Sequence, residues 1–287
     1  MLLRHLSLVA CLALAPPVLA QTSDGAATET QTAEATVPAL ALALRLDDLF
    51  AVLREEGLSY GQSLEADMFP GGGGPQWAGT VGGIYDLTRL QTGFIAALEG
   101  ELAADPETLG DILAFFGSDL GQRVVGLEID ARRAFLDEAN EEAARVAAEN
   151  RFAARDPKVD LIKGFIEAGD LVEMNVAGSL SGNLAFLTGM SETGLYGDAM
   201  PADQLLSDTW AQEDQIRDDT TAWLYAYLGL AYDPLTEAEL QAYVDFMKTP
   251  AGQRLNAALF VAFDRVFREI SHDLGRAAGL AMMGQDI

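Results

Sequence analysis

The chain has 287 residues, 49% of them apolar, and carries 18 basic against 44 acidic side chains, a formal net charge of −26. The apolar content is ample for a large core and excludes a chain that is disordered throughout, while the charge repels nucleic acid and anionic membrane surfaces. One cysteine, Cys11, and two histidines, His5 and His272, exclude a disulfide framework and a Cys/His zinc site.

Residues 1–20 have the parts of a secretory signal. Arg4 supplies the positive end, 6–14 the apolar middle, and Val18-Leu19-Ala20 a small-residue cleavage site. The apolar run is short for a membrane anchor and is interrupted by Pro16-Pro17. Leu8-Val9-Ala10-Cys11 has the look of a lipoprotein attachment box, but cleavage there would leave a very short apolar segment. The expectation is a periplasmic or secreted protein starting at Gln21, from which Cys11 and His5 have been removed. Residues 21–37, rich in Thr, Ala, Ser and Glu with no apolar period, read as a disordered tether.

A first helical unit is predicted over 38–155. Residues 44–54 and 58–69 form a helical pair around Gly57. The segment 69–83 contains Pro70, glycines 71–74, Pro75 and Trp77. It reads as a loop between helices, with a mobile flap carrying the aromatic as the alternative. It is no phosphate loop, since no Gly-Lys-Ser/Thr ends it and no strand precedes it. Residues 84–102 form the next helix, and Asp105-Pro106 caps and opens another, with Leu109, Ile112, Leu113 and Phe116 as its apolar face. A long helix is predicted over 119–155, supported by Glu128/Arg132 and Glu141/Arg145 in the favourable acid-first i,i+4 order.

A second helical unit is predicted over 156–287. Helices over 158–168 and 171–190 flank Gly169. The uncharged run 174–190 contains Asn175, Ser179, Ser181 and Asn183 and is too polar to cross a membrane. A loop over 191–202 and a helix over 203–231 lead into 235–255, where the pattern is clearest. Thr236 and Glu239 make a capping box. Leu240, Tyr243, Val244 and Met247 fall on one helical face. Thr249-Pro250 ends that helix and caps the next, whose stripe is Leu255, Leu259, Ala262, Val266 and Ile270.

The first unit echoes this corner at a constant offset of 131 residues. Phe115 matches Phe246, Ser118 matches Thr249, and Gly121-Gln122-Arg123 matches Gly252-Gln253-Arg254. The stripe Val124, Leu127, Ala131 and Phe135 also recurs. The reading is two diverged copies of one helical unit in tandem, all-α with no sheet. Glycine at both corners implies that a side chain would meet a neighbouring helix. An alanine is then tolerated if the backbone is ordinary, whereas a leucine overpacks. Arg254 is expected to reach an acidic residue on that neighbour; the alternative makes Gln253 and Arg254 a binding pair for a partner's carboxylate.

The pattern Thr-Glu-x-Glu-Leu, then Phe, then Ser/Thr-Pro-x-Gly-Gln-Arg/Lys resembles the bacterial domain-of-unknown-function family numbered 2059. Thr236, Glu237, Glu239, Leu240, Phe246, Thr249, Pro250, Gly252, Gln253 and Arg254 carry the resemblance, with the aromatic helix 223–230 upstream. It covers 208–274, with a weaker copy in 84–135, where Asp119 replaces the corner proline and Thr-Glu-x-Glu-Leu is absent. The resemblance implies an exported helical protein and brings no activity, cofactor or catalytic residue with it.

Few residues invite chemistry. His272 has no serine or cysteine partner in a recognised motif and reads as a surface histidine. Asp208, Glu213, Asp214, Asp218 and Asp219 lack the spacing of a calcium loop, and Glu213 can pair with Arg217, so a solvated face is the reading. Trp223, Tyr225, Tyr227, Tyr232 and Tyr243 read as core. No catalytic, metal or cofactor site is expected. The leading expectation is a non-enzymatic envelope module that engages another envelope protein or an apolar ligand through helical grooves. A carboxylate-based hydrolase or divalent-cation-dependent enzyme, and a passive acidic solubiliser, are the alternatives.

Overall fold

In a computed structural model, residues 35–195 and 202–284 are described, and every regular element among them is a helix. The predicted signal segment, and the tether as far as residue 34, lie outside the described residues. The Thr36 hydroxyl accepts the Ala39 N–H and starts α1 (Val37–Ala43), one residue earlier than predicted. Arg45 then takes a left-handed backbone, φ 50°, and turns the chain into α2 (Leu46–Met68).

α2 runs unbroken through Gly57, where the sequence suggests a division between two helices. The Tyr85 ring comes within 2.1 Å of the place a Cβ would take there. The glycine therefore admits a neighbour and does not end the helix. The 69–83 segment is irregular only as far as Gly73, because α3 (Gly74–Ile84) starts with Pro75 in its first turn. Trp77 is buried, and its indole N–H donates to the Gly61 carbonyl at 2.8 Å. That anchor overturns the flap alternative.

Asp86 caps α4 (Leu87–Leu102), Asp105 caps α5 (Pro106–Phe116) and Ser118 caps α6 (Asp119–Ala134). The long helix predicted over 119–155 is in fact two. The chain turns at 135–137, where the Asp137 carboxylate accepts the Ala139 N–H at 2.9 Å and caps α7 (Glu138–Ala154). A local side-chain cap of this kind competes with continuing the helix. The Glu128/Arg132 pair is not made either. Arg132 instead holds Glu56 on α2 through two bonds of 2.7 and 2.8 Å, and Glu128 faces two tyrosines. Glu141 and Arg145 do pair, at 2.6 Å.

After Asp156 come α8 (Pro157–Ala168), another left-handed residue in Asp170, φ 49°, and α9 (Leu171–Glu192). The helix predicted over 203–231 is interrupted at 211–212, giving α10 (Ala202–Trp210) and α11 (Glu213–Ala231). α12 (Glu237–Met247) and α13 (Pro250–Met282) complete the chain. No helix among the described residues is long and apolar enough to cross a membrane.

The packing has a reciprocal pattern. α2 touches α1, α3 and α4, and α9 touches α8, α10 and α11. Each half then leans on the other, with α4 lying along α13 and α11 along α6 and α7. Phe115 and Phe246, which hold matching places in the two corners, stack on each other with ring centroids 5.1 Å apart.

Candidate functional site

The residues singled out by the corner motif are spent on internal bonds, and the two corners use them alike. The Ser118 N–H donates to the Phe115 carbonyl at 2.9 Å, and the Thr249 N–H to that of Phe246 at 2.7 Å. Ser118 Oγ accepts the Gly121 N–H at 3.1 Å; Thr249 Oγ1 accepts that of Gly252 at 3.0 Å. Gln122 Nε2 donates to the carbonyls of Phe116 and Ala43, and Gln253 Nε2 to those of Met247 and Ala168. Arg123 crosses to the Glu239 carboxylate and the Pro234 carbonyl of the second half. Arg254 crosses the other way, to the carboxylate and carbonyl of Glu101. Thr236 and Glu239 form the capping box, and Pro250 opens α13. The Glu239 carboxyl is held below its ordinary pKa, first by the Thr236 N–H it accepts and then by the Thr236 hydroxyl and Arg123.

The tolerance expected for alanine at Gly252 is corrected by the corner geometry. A Cβ there would stand 2.2 Å from the Phe246 carbonyl oxygen, and one at Gly121 would stand 2.2 Å from that of Phe115. The obstacle is backbone, so even a methyl group is too large.

The other sequence candidates are dispersed. His272 Nε2 lies 3.0 Å from Glu192, on the surface. Arg217 pairs with Glu213 at 2.9 Å and also with Glu173. Tyr227 stacks on Trp223, and Tyr232 meets Tyr243 edge-on at 5.1 Å, whereas Tyr225 packs on Phe152. Sequence reading missed what Tyr232 and Tyr243 do. Both hydroxyls donate to Glu128 Oε1, the former at 2.7 Å, and the Tyr227 hydroxyl donates to the Glu128 carbonyl at 2.8 Å. Burial pushes the Glu128 carboxyl up to about 8 against the opposing pull of the two tyrosines. It is a neutral acid at pH 7 that joins α6 to α11 and α12.

The concave feature lies elsewhere, between α9 and α13. Toward the chain's C-terminus these helices touch closely. A Cβ at Gly189 would stand 2.2 Å from the His272 carbonyl oxygen, and one at Gly275 2.0 Å from that of Phe186. Toward the other end they part around a groove of about 410 Å³, within the range of about 300–1,000 Å³ usual for small-molecule pockets. Met174 and Gly178 face it from α9, and Phe260, Val261 and Phe267 from α13, with half-buried Asp264 the charged residue of its lining. Asn175 and Ser271, each 1% exposed, belong to the same lining. Asn175 Nδ2 donates to the Leu171 carbonyl at 2.7 Å, but Asn175 Oδ1 and Ser271 Oγ have no hydrogen-bond partner. A buried polar atom left unpaired costs about 1–3 kcal/mol.

α2 offers a comparison for the wall that α9 gives the groove. α2 and α9 both start after a left-handed residue and a following buried leucine, Leu46 and Leu171. Counted from that shared start, Phe50, Leu53 and Gly57 correspond to Asn175, Gly178 and Gly182. Phe50 and Leu53 are buried, Phe50 meets the Phe94 ring at 5.2 Å, and Tyr85 fills the space over Gly57. In α9 nothing lies within 4 Å of where a Gly178 Cβ would stand, and only Ser271 Oγ approaches that of Gly182, at 3.3 Å. What is solid core on one helix is excavated on the other.

The chain matches no family model, no curated protein and no solved structure.

Proposed function

We propose that this protein is an exported, non-enzymatic helical module that holds a small apolar ligand in the groove between α9 and α13. The observation that carries this reading is the exchange of Phe50 and Leu53 in α2 for Asn175 and Gly178 at the corresponding places of α9. Core positions given up in this way cost stability, and a groove that shelters a ligand gives a reason for the loss. The same reading takes the two halves as diverged copies of one unit, for which the matching bonds of the corners are the support. It keeps the resemblance to family 2059 and the N-terminal signal as grounds for export to the periplasm. An intact mass starting at Gln21 is expected of the exported protein, and retention of Met1 would count against export.

Binding is tested with N-phenyl-1-naphthylamine, an apolar fluorophore that brightens out of water. The expected result is saturable binding of one dye per chain, lost in Gly178→Leu, whose side chain occupies the groove, with the unfolding midpoint unchanged or raised. Absence of saturable binding, or a Gly178→Leu variant that binds like the native chain, would overturn the reading.

A further inference from the structure

Of the unpaired atoms beneath the groove, Asn175 Oδ1 specifies the kind of head group it takes. Asn175 has a fixed orientation, because its Nδ2 donates to the Leu171 carbonyl, which can only accept, and turning the amide over would set two oxygens against each other. What remains is Oδ1, an acceptor that needs a donor. Ser271 Oγ, with no partner, can donate as well as accept. A hydroxyl or a primary amide carries the donor that Asn175 Oδ1 needs, whereas Ser271 Oγ, beside Gly182 two turns further along α9, accommodates a donor or an acceptor alike.

Charged heads fare worse. A carboxylate at neutral pH has no proton to give Asn175. It also meets Asp264 in the lining, which Arg268 offsets only from 3.6 Å, on a chain whose net charge is −26. An ammonium could donate, but bringing it to a floor this buried strips its hydration with no carboxylate among the floor atoms to compensate. Asp264, half-buried, would hold such a cation at the lip of the groove. The remainder of the lining, Met174, Phe260 and Phe267, suits an alkyl or ring body.

Resting on the binding groove proposed above, we infer that the natural ligand is an uncharged amphiphile, an apolar chain or ring ending in an alcohol or primary amide. Asn175 selects it over the corresponding carboxylate. The test is calorimetric titration of the full mature chain at neutral pH with octan-1-ol, octanamide, octanoate and octylammonium, alongside displacement of N-phenyl-1-naphthylamine. The alcohol and the amide are expected to bind about tenfold or more tighter than octanoate, the scale of one buried acceptor left unmet. Asn175→Leu should erase this preference while still binding the dye, and Ser271→Ala should leave it in place. Octanoate binding as tightly as octanol, or an undiminished preference in Asn175→Leu, overturns the head-group inference and leaves the groove standing. If neither the dye nor any octyl compound binds, the groove reading itself fails.

Discussion

Gly252→Ala is a severe test of the corner, because helix propensity and packing predict opposite signs. Position 252 lies in the first turn of α13, where alanine is favoured over glycine by about 1 kcal/mol when nothing else intervenes. Here the new methyl carbon would stand 2.2 Å from the Phe246 oxygen, 2.9 Å from its carbonyl carbon and 3.0 Å from the Met247 Cα. The first distance falls more than an ångström short of ordinary van der Waals contact. The Phe246 carbonyl cannot simply rotate aside, since it accepts the Thr249 N–H at 2.7 Å. Opening the corner costs about 1–3 kcal/mol of overpacking and about 1 kcal/mol for a weakened hydrogen bond. After the propensity gain, the net loss is about 2 kcal/mol, or about 4–8 °C in melting temperature for a chain of this size. Gly110→Ala is the control. It lies inside α5 with nothing within 4 Å of its added carbon, and should stabilise by about 0.5–1 kcal/mol. Urea unfolding of both variants decides the matter: a Gly252→Ala chain at least as stable as the native one refutes the reasoning.

Two further predictions concern buried ionisable groups. Glu128 keeps its proton up to about pH 8 in the folded chain, against an ordinary 4.5. Its contribution to stability is therefore complete below about pH 4.5 and is lost as pH rises through about 8, with a slope of up to about 1.4 kcal/mol per pH unit in between. Glu128→Gln should remove that slope, so unfolding of the two chains at pH 5, 6.5 and 8 should diverge, and parallel curves would contradict the assignment. Arg132 is buried against Glu56. Glu56→Ala leaves its charge unpaired and should cost about 3–5 kcal/mol, whereas replacing both by leucine should recover most of the loss. A double-mutant cycle by chemical denaturation measures this.

The helices and both corners were legible in the sequence because their signals are local. A capping side chain, a proline in the first turn and an apolar stripe all lie within a few residues of one another, so Thr236, Thr249 and Ser118 could be assigned without knowing their neighbours. The errors came where a distant group decided the outcome. Gly57 resembles a helix stop until Tyr85 is seen occupying the space beside it. Glu128 and Arg132 have ideal spacing for each other, yet each finds a better partner from another helix. The groove was hidden for a related reason. Asn175, Ser179 and Ser181 looked like the polar interruptions that disqualify a membrane span, which they are. That they also hollow out one wall of a cleft depends on α13 lying opposite. The register that sets Asn175 against Phe50 and Gly178 against Leu53 is fixed by the left-handed residues Arg45 and Asp170, and so belongs to the structure.

The reciprocal contacts across the middle of the molecule bear on how the chain would respond to being cut. α4 needs α13 and α11 needs α6 and α7, so neither half presents a finished surface by itself. The link at Arg155-Asp156, where Arg155 ends α7 in a left-handed conformation, φ 55°, does little more than keep the halves near each other. A tether of this kind acts by supplying a high effective concentration. After proteolysis at that link the two fragments should stay together as two subunits do, and their separation on melting should make the midpoint sensitive to how much protein is in the tube.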